Sequence, residues 1–371
     1  MEGIEDGDAI LDSALDSTVF DFENWWLINT TRRGDVIVSE AYTPASGDPL
    51  RSRPSVYLDQ NHWSTLAQAV TAPDRIRTPE ILAAARRLSE LASDEGIVLP
   101  LSSATLHETY GLFGDRRYEV GLTIGRLSAG WQLRHVLAVQ AYEFRALFAR
   151  EFGLEIETAP PAITLEPMAW RDQGVRTHLP SDDGTELLKL IVTGATAMID
   201  SLLTDERLEP VDLDWARKNE SLARRITELP ANRRGEAAFG FATLDHERAI
   251  RSSLASLGKG LTDLQDTSQK AWHSRFARMP ATGLAVEIMT RRLQEPGRRW
   301  RDNDLIDIWY LCTASAYADY VVAERSTGQQ LRQIIRGRGS VPNVFTSIPG
   351  LVEQLEQAGV STAAERFRDG T

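Results

Sequence analysis

Carboxylates that could share one site occur in four places in this sequence. Asp59 ends the short apolar run Val56-Tyr57-Leu58 and is followed by a helical pattern, so it stands at a strand-to-helix turn. In an open parallel sheet such turns lie at the carboxyl ends of the strands, where ligands and metals are held. Glu108 falls on the helix predicted after a second apolar run, Ile97-Val98-Leu99-Pro100-Leu101. Asp304 and Asp307 are three apart in the first turns of a predicted helix, so both project from one face and its positive end favours their ionised forms. Glu324 closes a later buried run, Tyr320-Val321-Val322-Ala323. Oxygen donors gathered from distant segments suit Mg²⁺ or Mn²⁺, which keep several waters. Two such ions can activate water and steady a leaving oxygen in phosphodiester hydrolysis.

Any one acid at a helix amino terminus is more often a cap than a ligand, Asp304 included. Four acidic positions at the same end of successive sheet elements argue for a shared site. Other chemistries find less support. His107-Glu108-Thr109-Tyr110-Gly111 is not a zinc-protease HExxH, and the six histidines show no ligand spacing. There is no GxSxG elbow, and Gly258-Lys259-Gly260 lacks the remaining elements of a phosphate loop. The basic cluster Arg298-Arg299-Trp300-Arg301 runs directly into Asn303-Asp304 and is a candidate phosphate contact, with the indole as a base-stacking surface. Arg325, directly after Glu324, is a further candidate; Arg332, Arg336 and Arg338 read rather as a solvated face.

The elements that must position these groups can be read along the 371 residues. A composition 42% hydrophobic and 25% charged is that of a globular chain with a sizeable core. No apolar run approaches the roughly 20 residues of a membrane helix, and the first residues are acidic where a secretory signal is basic and then apolar, so a cytoplasmic protein is expected. The net charge of −12 disfavours broad adhesion to nucleic acid, although a basic groove can be local. Cys312, the single cysteine, lies in an apolar helical pattern and is expected to pack.

Residues 1–17 are expected to be loosely attached. A β-hairpin follows, its strands around Trp25-Trp26-Leu27-Ile28 and 35–42 and its turn at Gly34, then a linker at 44–54. After Asp59 a helix is predicted from Ser64 and another over 78–92, then the strand at 97–101 and a helix capped by Ser102-Ser103. Strand alternating with helix predicts right-handed crossovers in a parallel sheet. From 119 to 299 helical patterns dominate, with a turn over 179–184, so this block reads as a large insertion. The last section returns to α/β, with Asn303 capping a helix over 304–317, strands at 320–323 and 343–346, and a closing helix at 351–358.

The residues Tyr57-Leu58-Asp59-Gln60-Asn61, Glu108, Asn303-Asp304-Leu305-Ile306-Asp307 and Val321-Val322-Ala323-Glu324 together resemble the PIN or PIN-like nuclease superfamily. The resemblance spans about 56–118 and 300–358 and leaves out the hairpin and the helical block. It implies a three-layer α/β/α core with a central parallel sheet in two parts, 54–118 and 300–371, around the 119–299 insertion, with 1–53 as an amino-terminal extension. It also implies a nuclease whose Mg²⁺ or Mn²⁺ is held by Asp59, Glu108, Asp304 or Asp307, and Glu324, with Asn61 in support and RNA favoured over DNA as partner. Glu324 departs from the family's usual Asp. A rival expectation is a catalytically weak module that binds a protein partner or a second copy through the helical block. In the nuclease reading that block walls the cleft, because the chain leaves the core just after Glu108 and returns just before Asp304.

Overall fold

A computed structural model describes residues 13–44, 50, 52–155, 158–172, 184–204, 214–295, 297, 299–301 and 304–369. The turn expected at 179–183, Arg298 and Asn303 lie outside these residues, as does much of the linker at 44–54. The amino-terminal hairpin is present and gains a strand. β1 (Leu15–Asp21), β2 (Trp26–Thr31) and β3 (Val36–Glu40) form an antiparallel sheet in that order. β1 corrects the expectation of a loose segment through residue 17: its pairing with β2 comes from tertiary context, which composition does not register. Gly34, at φ +84°, makes the turn between β2 and β3.

The α/β part begins with β4 (Val56–Leu58), which enters α1 (Gln60–Thr71) at Asp59, so the helix starts four residues earlier than expected. α2 (Pro79–Ser93) follows, then residues 97–101, α3 (Ser103–Tyr110) and α4 (Gly114–Ser128). Ser102 caps α3 by accepting from the Thr105 amide. The block expected to be helical opens within α4 and then departs from expectation with a strand pair, β5 (Gln132–Leu133) and β6 (Ile163–Thr164), on either side of α5 (Val136–Phe152). It continues through α6 (Gly184–Leu203), α7 (Asp214–Glu228), α8 (Ala231–Leu244), α9 (Glu247–Ser256), α10 (Gln269–Ala277) and α11 (Pro280–Arg292). The last section is α12 (Asp304–Tyr317), β7 (Tyr320–Val322), α13 (Arg325–Gly337), β8 (Val344–Phe345), α14 (Ile348–Gln357) and an unanticipated α15 (Ala363–Asp369).

β4, β7 and β8 form a parallel sheet in that order. Residues 97–101, the second predicted strand, make only single bridges, Val98 to Ser55 beside β4 and Leu101 to Gln132 of β5, so they link the two pairings without forming a regular strand. Side-chain alternation divides the sheet between two cores. Val56, Leu58 and Val322 join Trp63, Leu66 and Leu351 on one face; Tyr57, Val321 and Ala323 join Leu311, Leu331 and buried side chains of the helical block on the other. Among the described residues no helix is long and apolar enough to cross a membrane.

The β4–β7 pairing is clamped at its amino end. The Asp319 carboxylate accepts from the amide and hydroxyl of fully buried Ser55, both at 2.8 Å, and the Ser55 hydroxyl accepts from the Asp319 amide at 3.1 Å. Removing this carboxylate strands two buried donors, each costing about 1–3 kcal/mol. Asp319→Ala is therefore expected to lower unfolding stability by roughly 2–4 kcal/mol in urea titrations, and Asp319→Asn by less. A loss below about 0.5 kcal/mol, the range of ordinary surface substitutions, would show that the clamp contributes nothing.

Candidate functional site

The chain runs from β4 outward to residues 97–101 on one side and later returns at β7 on the other, so sheet order reverses between β4 and its neighbours. The crevice at the carboxyl ends on either side of such a reversal is where open α/β sheets bind ligands. Asp59 and Glu324 occupy it.

Asp59 follows β4 in extended conformation, at φ −66° and ψ 153°, and caps α1. Its carboxylate accepts from the Gln60 amide at 3.0 Å and from the Glu324 amide at 3.2 Å, so one side chain ties the ends of two strands together. Burial raises its pKa, the two amides oppose that shift, and the Glu324 charge adds to it. Glu324 stands exposed at the start of α13 and accepts from the Asn61 side-chain amide at 2.7 Å. Asn61, expected as a support after Asp59, thus fixes the Glu324 carboxylate.

Glu108 on α3 and Asp307 on α12 meet across the crevice and hydrogen-bond carboxyl to carboxyl. Glu108 is pushed up to about 9, first by burial and then by the charges of Asp307 and Asp59. Asp307 is pushed up to about 7, first by burial and then by Asp59. Two carboxylates this close cannot both ionise cheaply, so each resists ionisation.

The structure separates the two acids of α12. Asp304 accepts from the Arg301 amide at 2.8 Å and lies 3.4 Å from an Arg292 guanidinium nitrogen, so it closes the start of its own helix. Asp307, one turn on, faces the other acids. Both still line a single cavity of about 830 Å³, together with Asp59, Asn61, Glu108 and Glu324.

That wall also contains residues the sequence did not single out. Arg292, on α11, is almost fully buried, donating to Thr327 at 3.0 Å and Gln330 at 3.3 Å. Glu220, on α7, accepts from the Trp300 amide at 3.4 Å. Neither has a local motif; helix packing alone delivers them. Of the expected basic contacts, Arg299 and Arg301 are exposed and line the cavity, whereas Arg325 is exposed but outside the lining. Trp300 also lines the cavity, but it is buried edge-on against Trp215, at 5.4 Å between ring centroids, which leaves little of its ring open for a base to stack on.

The donor set consists of carboxyl and amide oxygens, which fits a hard divalent cation. Among the described residues no three His, Cys, Asp or Glu side chains already converge as a metal cluster. Mg²⁺ binds through one or two carboxylates and retained water, so the fit does not require an all-protein cage. Compared with family models, curated proteins and solved structures, the chain matches none.

The raised carboxyls set a sign for pH dependence. A folded pKa above the unfolded value contributes stability that is complete below the ordinary carboxylate range and lost as pH rises through the folded value. Above about pH 7 unperturbed histidines are already neutral, so the metal-free protein is expected to lose thermal stability on going to about pH 9, through Glu108. Glu108→Gln should flatten that fall, and millimolar Mn²⁺ should raise the wild-type melting temperature and raise it less in Asp307→Asn. Parallel wild-type and Glu108→Gln profiles together with an unmoved Mn²⁺ midpoint would dissolve the shared site.

Proposed function

We propose that this chain is a metal-dependent nuclease that hydrolyses phosphodiester bonds, with RNA the substrate ahead of DNA. The observation that carries the reading is that Asp59, Glu108, Asp307 and Glu324 all line one polar cavity at the carboxyl edge of a parallel sheet. Cores on both faces of that sheet support a three-layer PIN-like arrangement. Asp59, Glu108, Asp307 and Glu324 would hold Mg²⁺ or Mn²⁺, while Asp304, already engaged by Arg292 and the Arg301 amide, orders the cavity wall. Such an ion supplies activation of water and charge neutralisation at the leaving oxygen when bound.

The chain's own groups prepare the rest. The resistance of Glu108 and Asp307 to ionisation lowers the repulsion among the acids, and a bound cation would favour their charged forms. Asn61 holds Glu324 on the rim. Arg299 and Arg301 give the mouth a local positive charge on an acidic protein, which suits a phosphate backbone. Glu220 and Arg292 come from the helical block, in keeping with its role as a wall of the cleft.

One observation favours an assembly module, although through the amino-terminal sheet rather than the helical block. On the outer face of the amino-terminal sheet, Val19, Ile28 and Val38 stand in register across β1, β2 and β3, and Val19 and Val38 are exposed beside exposed Trp26 and Val36. Cleavage decides between the two readings. Asp59→Asn should abolish hydrolysis of single-stranded RNA in Mn²⁺ while keeping the fold, because it removes a ligand charge at nearly constant volume and Asn remains a good helix cap. Activity equal to wild type would remove Asp59 from the mechanism, and a wild-type protein inert on both RNA and DNA in Mg²⁺ and Mn²⁺ would favour assembly.

The basic mouth makes a separate expectation. Arg299→Ala with Arg301→Ala should weaken nucleic-acid binding and reduce the slope of log affinity against log salt by about one for each phosphate no longer neutralised. An unchanged slope would make both arginines a solvated face.

A further inference from the structure

The two helices that bring Glu108 and Asp307 together carry a different chemistry on their other faces. His107 and Tyr110 of α3 and Trp309 of α12 line a second cavity, of about 530 Å³, completed by His135 before α5 and by Trp170 and Arg171 after β6. This volume lies within the roughly 300–1,000 Å³ of small-ligand sites. The rings of His107, Tyr110, His135 and Trp309 are only partly buried, so their surfaces are reachable. The Arg171 guanidinium lies over the Trp170 ring at 4.5 Å.

The groove is built unlike the acid cavity. Burial lowers the pKa of both His107 and His135, so at neutral pH their imidazoles are uncharged plates rather than phosphate-binding cations. In its walls Nδ1 of His135 and Nε1 of Trp170 have no hydrogen-bond partner among the described residues. Both atoms are buried, so a ligand in the groove meets the ring faces rather than these nitrogens. Flat aromatic faces, one guanidinium plane and a few hydrogen-bonding groups are what proteins use for an unpaired base. The backs of α3 and α12 lie about one helix diameter, ~10 Å, from the acids, within reach of neighbouring nucleotides of one strand. The two cavities are neighbours along the chain: Arg301 lines the acid cavity, and Leu305, four residues on, lines the groove.

We propose that this aromatic groove binds an unpaired base of the same single strand whose phosphodiester lies at the acids. The proposal rests on the nuclease reading and adds to it a base-stacking subsite, so the preferred substrate is single-stranded. The groove senses bases and the acid cavity senses phosphates, and a strand stripped of its bases separates the two.

The test is fluorescence anisotropy with a labelled single-stranded RNA oligonucleotide and its fully abasic counterpart, with Ca²⁺ replacing Mg²⁺ so that binding is read. Wild type should bind the base-bearing strand about five- to a hundredfold tighter than the abasic one, the range expected for stacking one base. Trp309→Ala should remove most of that difference and leave abasic affinity unchanged. Trp309 also packs against His246, so Leu137→Trp, at an exposed position of the groove, fills the cavity without removing core and should act the same way. Equal wild-type affinity for the two strands, or a base preference that neither variant changes, overturns the groove while leaving the acid site standing. Variants that weaken both strands alike do the same. A wild-type protein that binds neither strand overturns the groove and the nuclease reading together.

Discussion

Both the core and the acid crevice hang on the parallel pairing of β4 with β7. Its strands lie about 260 residues apart in sequence, and only three residue pairs define the register. So short a pairing needs help, and an acid supplies it at each end. Asp319 holds Ser55 at the amino end, and Asp59 accepts from the Glu324 amide at the carboxyl end. Closing a chain loop of that size is entropically costly, and the cost is offset by helices packed on both faces of the sheet. The same pairing is what sets Asp59 beside Glu324, so the fold and the candidate site share one interaction.

Gathering acids at this edge opposes stability. Asp59, Glu108 and Asp307 are each harder to ionise than in water, because burial and their neighbours both act against charge. A purely structural design would have apolar groups here, and a strained polar cluster in an otherwise consistent fold is the usual sign of a site. Arg292 relieves part of the strain by standing against Asp304 from within the helical block. The block therefore participates in the electrostatics of the crevice as well as in its shape.

α3 and α12 act as a partition between two environments. On one side their carboxylates face a polar cavity; on the other, their aromatic and aliphatic residues line a groove. Helical periodicity makes this possible, since residues three or four apart share a face while immediate neighbours diverge. Glu108 next to His107, and Asp307 next to Ile306, are the residues at which the two environments part.

Local elements were legible in the residues alone: Val56-Tyr57-Leu58 as a strand ending in an acid, Ser102 as a cap, the helix opening at Asp304, and the alternation of strand and helix that makes the chain α/β. These follow from periodicity and capping, which act over a few residues and leave a direct trace in composition. Packing, by contrast, settled which of two well-spaced acids turns toward the others, because Asp304 is claimed by an arginine twelve positions earlier and Asp307 is not. It also settled that Leu15–Asp21 pairs as a strand, that Trp300 packs against Trp215, and that Glu220 and Arg292 reach the cavity. One cause is common to all four. A side chain's partner across a packed interface is set by where whole helices and strands come to rest, and that depends on the summed burial of two cores rather than on any neighbour in sequence.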